Sequence, residues 1–137
     1  MSRILAIDYG RKRCGLAVTD TLRIVATGLP TVRTCDLLDF LRKYMGTEEV
    51  GLVVVGLPKT LDGGPSESER YIAPFLKQLH REFPELEVRR YDERFTSTLA
   101  HRAMLDAGMS RSRRREKGLA DEMAAVIILN DYLSAMR

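Results

Sequence analysis

The sequence predicts an α/β protein, a mixed sheet with helices on both faces. Three observations carry this reading. Two strand-like segments lie close enough near the N-terminus to pair as a hairpin. Further on, apolar runs of strand length alternate with segments whose apolar residues recur every three or four positions. The chain has 137 residues, 45% hydrophobic and 30% charged. That is enough for one domain, spanning residues 1–137, to bury a core, and two separate cores do not fit comfortably.

The elements follow in order. Arg3 to Asp8 is a near-continuous apolar run ending in an acid, as expected of a strand buried on both faces. Tyr9 to Arg13 is a turn, and Cys14 to Thr19 is the second strand of the hairpin. Ile24 to Leu29 is the third strand, with Pro30 marking its end or an edge position. Leu37, Leu38, Leu41, Tyr44 and Met45 then recur at helical spacing, which gives a helix over 36–45 capped by Asp36 and stopped by Gly46. Val50 to Gly56 is the clearest strand in the chain. Thr60 to Pro65 is a loop. Ser66 to Phe83 has helical spacing, including Tyr71, with a kink or late start expected at Pro74. Leu86 to Tyr91 is a strand, Thr96 to Ala107 a helix, and Leu119 to Met136 the last helix.

Composition excludes several classes. No apolar run approaches the roughly 18 residues of a membrane helix. Asp8 interrupts any signal-peptide core, so a cytoplasmic protein with no membrane partner is expected. Cys14 and Cys35 form no CxxC pair and are expected as free buried thiols. His80 and His101 stand far from each other and from either cysteine, which argues against zinc. The net charge of +3 is too mild to imply a partner. Its distribution says more: six bases and two acids between His101 and Gly118 give +4, leaving −1 for the rest of the chain.

In open α/β sheets, sites form at the carboxyl ends of strands. Asp8 ends the first strand, and Asp92 and Glu93 end the last. Asp121 lies in the first turn of the final helix, on one face with Ala124, Ala125 and Ile128, where the alanines permit close approach to the sheet. Converging carboxylates repel unless a cation compensates them. An all-oxygen donor set favours Mg²⁺ or Mn²⁺. Two such ions about 3.5–4 Å apart activate water and stabilise a leaving oxygen, which is nuclease chemistry. Each acid also has an ordinary reading: a turn cap for Asp8, solvated turn acids for Asp92 and Glu93, and a favourable helix-dipole charge for Asp121.

Four segments resemble the YqgF/RuvX family of pre-16S rRNA nucleases, also called Holliday junction resolvases. They are Asp8-Tyr9-Gly10 through Gly15 to Asp20, Val54-Val55-Gly56-Leu57-Pro58 followed by Asp62-Gly63, Asp92-Glu93-Arg94-Phe95-Thr96-Ser97, and Asp121-Glu122-Met123-Ala124-Ala125. Their order and spacing agree with the family over essentially the whole chain. The resemblance implies a ribonuclease H-like fold, with a five-stranded mixed sheet, and metal-dependent phosphodiester hydrolysis. It also implies Asp8, Glu93 and Asp121 as catalytic acids and metal ligands, with Asp92 and Glu122 as substitutes. Pro74 departs from the uninterrupted helix expected there.

Against that background, Arg111, Arg113, Arg114, Arg115 and Lys117 become a candidate phosphate contact just before the Asp121 helix. Contact with about four phosphates gives a log K against log salt slope of roughly −3 to −4. Arg11, Lys12 and Arg13 are a second candidate contact, and Arg13 is alternatively a brace for the acids. Three functions compete: an endonuclease acting on pre-rRNA, a resolvase cutting four-way DNA junctions as a homodimer, and a non-catalytic nucleic-acid-binding or ribosome-assembly module. An actin-like ATPase needs two such folds, and one chain of this length holds one.

Overall fold

The computed structural model describes residues 2–57, 69–92 and 117–136, with backbone alone for 117–122. Its elements are β1 (Arg3–Asp8), β2 (Arg13–Thr19), β3 (Ala26–Arg33), α1 (Leu37–Thr47), β4 (Val50–Leu57), α2 (Glu69–Glu82), β5 (Glu87–Asp92) and α3 (Lys117–Met136). The strands form one five-stranded sheet in the order β3-β2-β1-β4-β5. The β1–β2 and β2–β3 pairs are antiparallel, and β1–β4 and β4–β5 are parallel. The sheet is therefore mixed, as expected.

Strand alternation sorts the core into two layers. Leu5 and Ile7 of β1, Leu16 of β2 and Val53 and Val55 of β4 pack with Leu37 and Leu41 of α1 and Ile72, Phe75 and Leu79 of α2. The intervening Ile4, Ala6, Ala17, Leu52 and Val54 pack with Ala125, Ile128, Leu129 and Leu133 of α3. Helices thus cover both faces. The central strands are buried on both sides, which explains why β1 and β4 read as continuous apolar runs. Each buried Leu, Ile or Val contributes about 1.5–3 kcal/mol relative to exposure. The buried polar Thr19 is satisfied, its Oγ1 accepting the Ile4 N–H at 2.9 Å.

Several boundaries differ from expectation for identifiable reasons. The third strand starts at Ala26 and runs to Arg33, rather than spanning 24–29. The Asp20 carboxylate accepts the N–H groups of Ile24 and Val25 at 2.8 and 2.9 Å, which holds them in the turn. Arg23 adopts a φ of 59° there, and its guanidinium donates to the Ser2 carbonyl and hydroxyl at 2.9 and 2.8 Å. Pro30 does not end the strand. Pro30 and Thr31 lie in the register shift opposite Gly15, on the sheet-edge strand, where a missing N–H costs no ladder bond.

The first helix begins at Leu37 after a 3-10 turn over Thr34–Asp36, and it continues through Gly46 to Thr47. Asp36 makes no side-chain cap hydrogen bond, because its backbone is already helical. α2 continues through Pro74, which forgoes the hydrogen bond to the Arg70 carbonyl without ending the helix. Cys14 is buried as expected, but Cys35 is exposed, because it falls in the 3-10 turn outside the core. The expected loop over 60–65 and helix over 96–107 lie outside the described residues.

A candidate active site at the strand ends

The site is built around the end of β1. Asp8 faces Gly15 of β2, and it stands one step past the Ile7–Val55 pair, level with Gly56 of β4. Gly56 in turn pairs with Tyr91 of β5. One row across the sheet therefore reads Gly15, Asp8, Gly56, Tyr91. Ile4 and Ala6 pack in the α3 layer, so alternation puts the half-buried Asp8 on the α3 face as well. The glycine on each side brings no side chain beside it.

Alternation also fixes the face of Asp92, the last residue of β5. Val88 packs in the α1–α2 layer and Tyr91 in the α3 layer, so Asp92 falls on the α2 face, away from Asp8. Glu93 lies outside the described residues. Asp121 and Glu122 belong to the helical backbone of α3, and only their positions are described. Asp121 precedes Ala124 and Ala125 by three and four residues, and both alanines are buried. The alanines thus face the sheet as expected. Arg111, Arg113, Arg114 and Arg115 lie outside the described residues, and Lys117 is the first residue of α3. Among the described residues no three His, Cys, Asp or Glu side chains form a group able to hold a metal.

The β1–β2 turn is held at this same pole. A Cβ on Gly10 would lie 2.3 Å from the Arg13 carbonyl oxygen, so only glycine allows so tight a return. Thr34 Oγ1 donates to the Gly10 carbonyl at 2.7 Å, and the Thr34 N–H to the Lys12 carbonyl at 3.0 Å. The turn leaves Arg11 and Lys12 exposed. Arg13, half-buried, shares strand parity with Gly15 and Ala17 and so lies on the face of Asp8, where a bracing role needs it.

Residues that sequence reasoning missed complete the surroundings. Arg90 donates to both carboxylate oxygens of Glu69 at 2.7 and 2.9 Å. It also donates to the carbonyls of Gly56 at 2.9 Å and Val55 at 3.3 Å. This clamp fixes the start of α2 to the end of β4. Its only sequence signal is an arginine on the inward parity of a strand. Tyr71, expected in the apolar stripe of its helix, instead carries the Arg11 guanidinium, whose Cζ lies 4.4 Å from the ring centroid. On the α3 face, burial pushes the Asp131 carboxyl above its ordinary range. Burial, and then the charges of Asp131 and Asp92, push the Tyr91 phenol up. A cavity of about 640 Å³, lined by Met45, Glu48, Glu49, Phe83 and Glu85 among others, lies at the opposite pole, remote from Asp8.

This sheet, with an acid at the end of its first strand and a helix laid over that face, defines a class of protein. The solved structure of T. thermophilus RuvC in complex with a Holliday junction substrate matches it at a TM-score of 0.53 and 18% identity, covering 99% of this chain and 96% of that one. The fold is ribonuclease H-like. A family model described as RuvX, Holliday junction resolvase, matches residues 2–135. A Bacteroides thetaiotaomicron protein named "Putative pre-16S rRNA nuclease" is 52% identical over 137 residues, covering 100% of this chain and 99% of its own length. A Porphyromonas gingivalis protein of the same name is 54% identical over 133 residues, covering 97% and 96%. The chain belongs to the RuvX family. Among the described residues no helix is long and apolar enough to cross a membrane.

Proposed function

We propose that this chain is a single nuclease domain that hydrolyses phosphodiester bonds of structured nucleic acid at the Asp8 pole, and that its substrate is the 5′ end of pre-16S rRNA in the cytoplasm. The observation that carries the reading is Asp8 itself: a half-buried carboxylate at a strand end, flanked by glycines, on the face that α3 covers. The names of full-length relatives near 50% identity support rRNA as the substrate.

We assign Asp8, Glu93 and Asp121 as the catalytic acids. Asp92 falls on the face of the sheet away from Asp8, which is the ground for preferring its neighbour Glu93. Helical periodicity places position 121 nearer than 122 to the centre of the stripe formed by Ala125, Ile128 and Leu129, which is the ground for preferring Asp121 over Glu122. Asp8 is a hard oxygen donor, and neither His nor Cys contributes to the set, so it fits Mg²⁺ or Mn²⁺. When bound, such an ion supplies charge stabilisation and an activated water. The protein's own share is to hold Asp8 rigidly on β1 and to steer the phosphate backbone with Arg11, Lys12 and the 111–117 bases.

The second reading, cleavage of four-way DNA junctions, is favoured by the family description and by the RuvC likeness. It requires a homodimer that places two nicks symmetrically. Cleavage of precursor rRNA and of junction DNA is to be measured with Mg²⁺, Mn²⁺ or EDTA. Asp8→Asn, Glu93→Gln and Asp121→Asn are each expected to lose about 100-fold or more, beyond the range of outer-shell partners at metal sites. Asp92→Asn is expected to stay within about threefold of wild type, since even an outer-shell partner costs about tenfold or more. Undiminished cutting by all three variants overturns the assignment. Binding without cutting by the wild type under every metal condition favours the non-catalytic module.

A further inference from the structure

The same pole carries a second feature that phosphate hydrolysis does not use. The Arg11 guanidinium lies over the Tyr71 ring at 4.4 Å from its centroid, and Arg70 flanks that ring at 5.8 Å. Both distances are within cation–π range. Tyr71 is held from two directions. The Arg90–Glu69 pair clamps the first turn of α2 to β4, and the Tyr9 ring packs on Phe75, one helical turn past Tyr71, at 5.0 Å between centroids. Arg11 is exposed and makes no ion pair with another described residue. Among the described residues no acid competes for its guanidinium, which rests over the ring. The ring holds the guanidinium through a cation–π contact, more order than a simple phosphate contact needs. A planar cation backed by a ring is a stacking surface for a nucleobase.

We propose that Arg11, positioned by Tyr71, stacks an unpaired base of the substrate beside the scissile phosphate. Arg11 lies three residues past Asp8, so their Cα atoms are at most about 11 Å apart. Asp8 is on the α3 side of the strand end and Tyr71 on the α2 side. A strand crossing the end of β1 meets the acid and the platform in succession. The preferred substrate is thus nucleic acid with an unpaired nucleotide next to the cut, in RNA or DNA. This inference rests on the nuclease reading of the pole but concerns binding, so it is tested without turnover.

The probe is an oligonucleotide carrying 2-aminopurine, as single-stranded RNA, as the same sequence in DNA, and as a perfect duplex, all titrated in EDTA. Stacking quenches the fluorophore. Arg11→Lys keeps the charge and loses the plane. It is expected to abolish the quench and weaken single-strand binding about fivefold or more, with the salt slope unchanged. Tyr71→Ala is expected to do the same and Tyr71→Phe to resemble wild type, while duplex binding changes little in any variant. If Arg11→Lys quenches and binds like wild type, Arg11 is a phosphate contact only and the proposal is overturned. Equal losses on single strand and duplex also overturn it, as does quenching left intact by Tyr71→Ala. RNA and DNA arms that behave alike identify the base as the ligand, and a difference assigns the sugar. Should Asp8→Asn cut as well as wild type while the quench persists, the nuclease assignment fails and the stacking site stands.

Discussion

Replacing Arg90 by methionine keeps most of the side chain's volume and removes the clamp between β4 and α2. The loss can be sized from the contacts. Arg90 makes two hydrogen bonds to Glu69 and two to backbone carbonyls, and the two side chains are 23% and 24% exposed. A charge-assisted bond contributes about 1.5–3 kcal/mol net, and four bonds that share one guanidinium do not add. Breaking a fully buried pair costs about 3–5 kcal/mol, and an exposed pair contributes about 1 kcal/mol or less. Glu69 sits at the start of a helix, where water can reach a carboxylate released from its partner. The expected loss for Arg90→Met is therefore about 2–3 kcal/mol. At roughly 3–5 °C per kcal/mol for a chain of this size, Tm falls by roughly 6–15 °C. Glu69→Gln keeps an acceptor and should lose about half as much. Thermal and urea unfolding of both single variants and of the double variant measure the pair's coupling energy, expected above about 0.5 kcal/mol. A loss below about 0.5 kcal/mol for Arg90→Met, or strictly additive variants, would refute the clamp.

Two further outcomes follow from packing and from titration. Ala125, fully buried between α3 and the sheet, should not tolerate leucine: Ala125→Leu is expected to cost about 1–3 kcal/mol by overpacking. Ala125→Gly costs about 1 kcal/mol through helix propensity alone. Cleavage assayed well below both melting temperatures should fall for leucine, which pushes the Asp121 helix outward, and persist for glycine. Equal activities would show that helix position does not matter. The Asp20 carboxyl is held below its ordinary range by the Val25 and Ile24 N–H groups. A lowered folded pKa gives stabilisation that is complete above the unfolded value of about 3.9 and lost as pH falls through the folded one. The Tm gap between wild type and Asp20→Asn should thus hold from neutral pH to about 5 and close on further acidification. A gap independent of pH would count against those bonds acting through the charge.

Most of the fold was legible because the central strands announce themselves. A strand buried on both faces must be apolar through its middle, as β1 is over Ile4 to Ile7 and β4 over Leu52 to Val55, and a helix on one face must repeat every three or four residues. Edges and turns were less legible. Ile24 and Val25 look like strand residues, but a carboxylate four and five positions away captures their N–H groups. Pro30 looks like a terminator, but on an edge strand a bulge absorbs it. For the site, Asp8 could be placed from sequence because it follows a strand. The choice between Asp92 and Glu93 could not be made, since side-chain parity depends on where β5 begins and on which layer covers which face. The Arg11–Tyr71 and Arg90–Glu69 contacts join positions 60 and 21 residues apart in the numbering, beyond any local pattern.

The division of chemistry between the two faces follows from the period of a strand. Asp8 and Tyr9 are neighbours in sequence yet project to opposite layers: the acid to the α3 side, and the ring to Phe75 on the α2 side. The tight Gly10 turn then returns the chain at once as β2, so that Arg11 and Lys12 emerge exposed at the same pole. A parallel crossover after β1 would have carried the next residues to the far pole before returning them. The antiparallel hairpin keeps acid and guanidinium within a few residues, with no long connection between them, and α2 brings the aromatic support to the same pole. It also makes the arrangement sensitive to register. One residue inserted between Ile7 and Asp8 would send the carboxylate to the Phe75 side and the tyrosine to the α3 side. The face of the carboxylate is thus fixed less by the identity of Asp8 than by its even offset from Ile4 and Ala6, four and two positions back, whose burial under α3 sets the parity for the whole strand.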